Sequence, residues 1–358
     1  MLSSVGKSIA ALILACAIIA AVVLALGASP GGVFAALYEG AFGSWYAAAD
    51  TLVKATPLVF TGLAVSIAFS GALWNIGADG QLIAGAIAAG AIGPYLGGWP
   101  RPVALGLMLA AGAAGGAMWG GICGWLRARR DTNEVISTIM MNFVAAQVLS
   151  WVVHGPLIEA SGAYPQSMPI APSARMYMPI EPTRLNPAIV LAIVLAIGCY
   201  LLLFHTSYGF ELRAMGRNRR AAAFFGIPIA RLTIAILALS GALAGIGGAV
   251  QVCAITHRLY EKFSPGWGFE AIAVALVARL NPLGIIASAI FFGALDNGSQ
   301  AMQRAQGVSP VLVQVIQGLV IMILLAFDTS AWTRIRAELF ARGADSAARG
   351  DTGARAGA

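Results

Sequence analysis

Long runs of apolar residues, separated by short polar connections, recur along the chain from residue 8 to residue 327. Hydrophobic residues make up 59% of the 358 positions and charged residues only 10%, whereas a soluble domain carries about 25% charged residues. A run of about 20 apolar residues is long enough to cross a bilayer as a helix. The sequence therefore predicts an all-α, polytopic integral membrane protein, because runs of this length do not fit the alternating pattern of a membrane β-barrel.

About ten transmembrane helices are predicted from the apolar runs. Two of them are short and separated by Asn281-Pro282, so they form either two tilted helices or one broken, re-entrant element. The predicted spans are 8–27, 51–70, 82–98, 103–126, 134–153, 187–204, 232–252, 269–280, 283–296 and 310–327.

Lysine and arginine are distributed unevenly between the two sides that these helices define. With the N-terminus inside, the inner segments carry 15 of the 22 basic residues and the outer segments carry 7. Basic residues accumulate in cytoplasmic loops, so we expect both termini in the cytoplasm. The net charge of +7 is explained by this topology, and we expect no nucleic-acid partner.

Residues 1–327 are expected to form one transmembrane domain with two long loops. The outer loop, 154–186, holds six prolines between 156 and 182 and is expected to be extended or irregular. The inner loop, 205–231, is basic and has enough Ala and Leu for one or two short helices. Residues 328–358 contain a low-complexity stretch and are predicted to be a disordered cytoplasmic tail.

Polar side chains interrupt the apolar chain in the stretch "WNIGADGQ". It places Trp74, Asn75, Asp79 and Gln81 among glycines that disfavour a continuous helix. Non-helical backbone at membrane depth occurs where it is buried in protein or lines a cavity, and broken helices build substrate sites in transporters. The alternative is a short inner loop in which Asn75 and Asp79 cap the next helix.

Four carboxylates lie within or beside the predicted spans: Asp79, Glu134, Glu270 and Asp296. Such groups are costly in a bilayer and usually face a cavity or a partner. Glu134 lies at an inner helix start, where the helix dipole stabilises a carboxylate. Asn142 follows two turns deeper on roughly the same face, so the two side chains either line a path or Glu134 serves only its helix terminus.

Small residues spaced four apart mark helices that pack closely. Gly116 and Gly120 have this spacing, and so do Gly241 and Gly245. Static close packing is the favoured interpretation, with a moving helix interface as the alternative.

The sequence contains none of the common enzyme motifs. A Walker-type phosphate loop, GxSxG and HExxH are all absent, and the four cysteines lie far apart within or beside apolar runs. We therefore predict no catalytic residues, no metal site and no ATP binding by this chain. Active transport would draw on an ion gradient or on another subunit.

Four stretches occur in consistent order between residues 50 and 327: "LWNIGADGQL", "NEVISTIMMNFVA", "LRAMGRNRRAAAFFGI" and "GFEAIAVALVARLNPLGI". Together they resemble the membrane-spanning permeases of bacterial ABC importers in the ribose/galactose branch. The subgroup they resemble most is the nucleoside type that works with basic-membrane-lipoprotein binding proteins. Trp74 stands where the subgroup has Phe, Asp79 where it has Glu, and Ala278 where Gly is common.

The resemblance implies a permease subunit of the bacterial inner membrane that moves a nucleoside or a simple sugar inward and binds no cofactor itself. Two cytoplasmic ABC ATPases would use the ATP, an extracellular or periplasmic binding protein would deliver the substrate, and a second permease, identical or homologous, would complete the pathway. The alternative is a secondary transporter driven by an ion gradient, with Asp79 or Glu270 as its proton or cation site.

The resemblance also implies roles for particular residues. The inner loop would be the coupling loop that contacts the ATPase through Arg213, Gly216, Asn218, Ala221, Ala222 and Gly226. The residues expected on the translocation path are Trp74, Asn75, Asp79, Gln81, Glu134, Asn142, Phe269 and Glu270.

Overall fold

The computed structural model describes residues 29–307, apart from 163 and 180–182, together with isolated positions between 20 and 24 and between 309 and 318. The chain divides into two compact units, Phe34–Pro310 and a second unit made of Met1–Val33 with Val311–Ala358. The fold described below is that of the first unit. The predicted spans 8–27 and 310–327 and the predicted tail 328–358 lie outside the described residues, except for isolated positions.

Helices dominate the described residues, as predicted, and β-structure there is limited to two isolated bridges, Ile158↔Ser167 and Gln166↔Tyr260. Eleven α-helices are present in this part of the chain: α1 Pro30–Phe42, α2 Trp45–Ser70, α3 Ala78–Ile92, α4 Arg101–Arg130, α5 Glu134–His154, α6 Ala188–His205, α7 Ser207–Arg217, α8 Arg219–Phe224, α9 Ile229–Gln251, α10 Trp267–Val277 and α11 Pro282–Gln306.

Five of the described helices are long and apolar enough to cross a membrane: α2, α4, α5, α6 and α9 with its π-helical extension to Thr256. Predicted span 51–70 begins six residues earlier in the structure, where the hydroxyl of Ser44 accepts a hydrogen bond from the Ala47 N–H and caps α2. Predicted span 283–296 continues to Gln306 as α11, and α1 was not predicted. The Asn281-Pro282 break separates two distinct helices, because Arg279 and Leu280 both have positive φ.

The two glycine pairs singled out in the sequence pack against each other. A Cβ at Gly116 would fall on the carbonyl oxygen of Gly241, and a Cβ at Gly245 would fall on the backbone of Gly112 and Gly116. The backbones of α4 and α9 therefore approach as closely as helices can, which only glycine permits at these positions. This pairing confirms that the small residues mark a helix–helix contact.

Non-helical backbone enters the bundle at two places. Residues 71–77 join α2 to α3, and residues 257–266 join the π-helical end of α9 to α10. Leu259 lies against Gly90 near the end of α3, and Ser264 bonds Asp79 in the first turn of α3. The second segment thus runs alongside α3 from Gly90 to Asp79, a distance of about 16 Å along the helix axis.

The predicted inner loop 205–231 forms two short helices, α7 and α8. Gly216 of α7 packs on the Ser70 carbonyl at the end of α2, and the methyl group of Met215 lies against Gly71. The loop therefore lies against the first residues of the non-helical segment 71–77.

Candidate functional site

Asn75 organises the non-helical segment 71–77. Its side chain is fully buried, and its amide nitrogen donates to the Gln81 Oε1 at 2.9 Å and to the Ser240 Oγ at 2.8 Å. Its Oδ1 accepts from the Gly77 N–H at 3.0 Å and from the Gln81 Nε2 at 3.1 Å. All the hydrogen-bonding capacity of this amide is used inside the protein, which makes its burial tolerable.

Side chains of α5 satisfy the rest of the segment. Asn142 donates to the Ile76 carbonyl at 2.9 Å and accepts from the Gly80 N–H at 2.8 Å, and it thereby caps the first turn of α3 from another helix. The Thr138 hydroxyl lies 3.3 Å from the Ile76 N–H. Backbone that leaves the helical pattern at membrane depth needs such partners. Asn142 and Thr138 provide them, and Thr138 was not singled out from the sequence.

Asp79 joins the two non-helical segments. Its Oδ1 accepts from the Ser264 hydroxyl at 2.6 Å and from the Gly268 N–H at 3.0 Å. Gly268 belongs to the first turn of α10, so the carboxylate caps α10 and not its own helix. A Cβ at Gly268 would collide with the backbone of Asp79, so glycine permits this close approach.

Two aromatic residues near these segments are exposed in the single chain. Trp74 is 53% exposed and packs edge-on against Phe69, with ring centroids 4.8 Å apart. Phe269, in the first turn of α10, is 48% exposed. Glu270 is partly buried beside it and is within electrostatic range of Asp79, Asp296 and Lys54.

Glu134 lies apart from this cluster, at the first residue of α5. Its Oε2 pairs with the Arg127 Nε at 3.1 Å, and the neighbouring Asn133 caps the helix by accepting from the Val135 N–H. Glu134, Thr138 and Asn142 follow one another at four-residue intervals on the buried face of α5. The structure therefore places Glu134 at the base of the face that supports residues 71–80.

Sequence reasoning does not identify an ion pair that joins α2 to α11. The Nζ of Lys54 in α2 lies 2.9 Å from the Oδ2 of Asp296 in α11. Asp296 had been noted as a carboxylate in an apolar segment, but its partner had not. A lone lysine beside the apolar run 55–68 was the available signal.

The residues proposed for coupling have local roles in α7 and α8. The Asn218 side chain caps α8 by accepting from the Arg220 and Ala221 N–H groups, and Gly226 follows α8 with a φ of +84°. The Arg213 guanidinium stacks over the Phe204 ring at 5.1 Å. Ala222 is buried and Gly216 contacts α2, so the small side chains of both are used in packing within this chain.

Exposed aromatic residues at the end of α8 had not been singled out. Phe224 and Phe225 are 88% and 81% exposed, and their rings lie 5.9 Å apart in an edge-to-face arrangement. Ala221 is also exposed on this helix. Exposed aromatic pairs of this size are unusual on a surface that only faces water.

Comparison with known proteins places the chain among transport permeases. The family model described as "Branched-chain amino acid transport system / permease component" matches residues 47–325. A glucose ABC transporter permease of Haloferax volcanii is 30% identical over 96% of this chain and 93% of its own length. A guanosine ABC transporter permease of Bacillus subtilis is 32% identical over 88% and 91%, and a nucleoside ABC transporter permease of Lactococcus lactis is 30% identical over 85% and 86%.

A permease of this family is the membrane subunit and carries out no catalysis itself. Because the family match covers most of the chain, this protein belongs to that family: it is a multi-pass membrane permease of an ABC importer, whose ATP is hydrolysed by a partner subunit.

Proposed function

We propose that this permease moves a nucleoside or a simple sugar into the cytoplasm. The observation that carries the proposal is the similarity, over most of both chains, to permeases named for glucose, guanosine and nucleoside transport. Nucleosides and sugars share hydroxyl groups and a flat or weakly apolar face, which suit hydrogen bonding and contact with an aromatic ring.

Trp74, Phe269 and Glu270 are the groups we assign to direct contact with the cargo. The two rings are exposed in the single chain, and the half-buried Glu270 side chain makes no hydrogen bond or ion pair to another residue in the part of the chain that the structure describes. Asn75, Gln81, Asp79 and Asn142 have the role of holding these groups in place, because their side chains are buried and occupied by internal hydrogen bonds. Glu134 supports the same arrangement from the start of α5.

The arginine-rich end of the bundle is the cytoplasmic end in this proposal. Arg127, Arg129 and Arg130 end α4, and Gly124 lies against Ile234 in the first turns of α9. Arg213 and Arg217 belong to α7, and Arg219 and Arg220 belong to α8. The Gly216 backbone of α7 packs on Ser70 at the C-terminal end of α2. This concentration of basic residues supports a cytoplasmic location for residues 205–231.

The ATPase docks on α8 through Phe224 and Phe225. Aromatic and arginine side chains provide most of the binding energy in many interfaces, and here Arg219 and Arg220 precede the exposed pair in the same short helix. Movement of this loop would reach residues 71–77 directly, because Gly216 packs on Ser70 and Met215 on Gly71. Two ATPases, a second permease and an external binding protein complete the proposed assembly.

Uptake by the reconstituted complex tests this function. The permease is placed in proteoliposomes with its ATPase and binding protein, and uptake of labelled guanosine and labelled glucose is measured with and without ATP. We expect one of the two to accumulate only when ATP and both partners are present. Accumulation by the permease alone under a proton or sodium gradient would contradict the proposal and support a secondary transporter.

A further inference from the structure

The Lys54–Asp296 ion pair lies in the half of the bundle opposite the non-helical segment 71–77. Lys54 is nine residues after the start of α2 and sixteen before its end, about 14 Å and 24 Å along the helix axis. The 26 residues of α2 span about 39 Å, against a hydrocarbon core of about 30 Å. With Ser70 at the inner boundary of the core, Lys54 lies about 6 Å inside the outer boundary.

The Asp296 side of this pair is not sheltered by the chain itself, whereas the Lys54 nitrogen is buried. The Lys54 side chain is 25% exposed and that of Asp296 is 52% exposed. A lysine can extend towards the membrane surface, but an aspartate side chain is too short to do so. An aspartate half exposed at this depth must therefore meet water or a polar partner rather than lipid.

The polar character continues towards the end of the bundle. The last part of α11, from Asp296 to Gln306, reads "DNGSQAMQRAQ", and it packs on α1, where Gly40 lies against Ala301 and Gly298. The Asn297 amide donates to the carbonyls of Gly40 and Ala47 at 2.9 Å. This part of α11 is too polar to face the lipid.

An open groove of about 330 Å³ lies beside the ion pair. Its polar lining comes from Glu39, Tyr46, Asp50, Asn297 and Arg304. Neither member of the pair lines the groove itself, but Asp50 precedes Lys54 by one helical turn and Asn297 follows Asp296, so the groove lies next to the pair on both helices.

We propose that this groove and the Lys54–Asp296 pair form an outer subsite of the translocation path, which binds an uncharged solute bearing several hydroxyl groups. Within the pair the Lys54 nitrogen is buried, and the half-exposed Asp296 carboxylate is the group that can accept hydrogen bonds from a vicinal diol without a charge being brought into the site. In the groove Glu39 and Asp50 add acceptors, Arg304 adds donors, and the Tyr46 ring offers a face for a sugar or base. The choice of cargo class rests on the proposed function.

Accessibility to a water-soluble reagent tests the location of the subsite. Asp50→Cys is treated in intact cells with a membrane-impermeant methanethiosulfonate, and Val194→Cys, on the exposed apolar face of α6, is the control. We expect labelling of the first at least tenfold faster than of the second. Equal, slow labelling of both positions would overturn the subsite, since the face would then be covered by lipid or by another subunit.

A charge exchange separates a path role from a structural ion pair. Asp296→Asn and Lys54→Met are compared with the double exchange Lys54→Asp/Asp296→Lys, with expression and unfolding temperature measured beside uptake. We expect the exchange to restore the unfolding temperature but to leave the KM for uptake raised at least tenfold. Wild-type uptake in the exchanged protein would overturn the proposal. The labelling rates require no assumption about the identity of the cargo, so they distinguish failure of the subsite from failure of the proposed function.

Discussion

The carboxylate of Asp79, at the start of α3, accepts a hydrogen bond from the backbone N–H of Gly268, at the start of α10 and 189 residues later in the chain. The same oxygen accepts from the Ser264 hydroxyl. The Asp79 side chain thus fixes the point where the non-helical segment 257–266 ends and α10 begins. The exposed Phe269 lies in the first turn of this helix.

Substitution of Asp79 tests this tie. Asp79→Ala leaves the buried Gly268 N–H without its acceptor, and we expect a loss of about 2–3 kcal/mol of stability, the cost of breaking hydrogen bonds to a charged group. Asp79→Asn keeps an acceptor oxygen, so its loss should be about 1 kcal/mol. The measurement is the midpoint of unfolding for the purified permease in detergent.

Asp131→Asn is the control for this series, because that carboxylate is 90% exposed in its pair with Arg127. Such a surface pair contributes about 0–1 kcal/mol. An Asp79→Ala variant as stable as the control variant would show that the Asp79–Gly268 contact does not hold the two helices together.

Glycine-to-alanine changes test the α4–α9 contact. Gly116→Ala places a methyl group on the Gly241 carbonyl, so we expect the helices to separate and the unfolding midpoint to fall. Gly106→Ala lies in the same helix with no atom within 4 Å of the new Cβ, and it should be neutral or stabilising by roughly 0.5–1 kcal/mol, since alanine favours helix. Equal unfolding midpoints for the two variants would contradict a tight contact between α4 and α9.

Exposed aromatic residues of α8 give a prediction about coupling. Phe224→Ala with Phe225→Ala should abolish stimulation of ATP hydrolysis by cargo-loaded binding protein in the assembled complex. The permease alone should keep its unfolding midpoint, because both rings are exposed. Phe210→Ala, an exposed aromatic of α7, is the control and should keep the stimulation. Full stimulation in the double variant would place the docking surface elsewhere.

Ala222 and Gly216, unlike Phe224 and Phe225, are packed against other residues of the same chain. Ala222 is 4% exposed, and a larger side chain there would disturb the packing of the loop before it met the ATPase. The sequence shows that small residues occur in this loop, but a small residue fits a close neighbour from the same chain as well as one from a partner. Only the coordinates identify Ser70 as the neighbour of Gly216.

The non-helical segment itself was predictable, because glycines and polar residues interrupt an apolar run there. The helix resumes at Ala78, however, so Asp79 and Gln81 lie in its first turn. The partners of the segment were not predictable: Ser240 is 165 residues from Asn75, and one hydroxyl in an apolar helix carries no sign of its neighbour. The Lys54–Asp296 pair was hidden for the same reason, since each residue alone is an isolated charge beside an apolar run.

The central claim is that residues 71–77, held by internal hydrogen bonds, present Trp74 to the cargo. Uptake by the complex containing Trp74→Ala tests it most directly, with Trp151→Ala, an exposed tryptophan on α5, and Asn75→Ala measured beside it. We expect Trp74→Ala to lower uptake at least tenfold at an unchanged unfolding midpoint, Trp151→Ala to keep both values, and Asn75→Ala to lower uptake and midpoint together. Wild-type uptake by Trp74→Ala would contradict the claim.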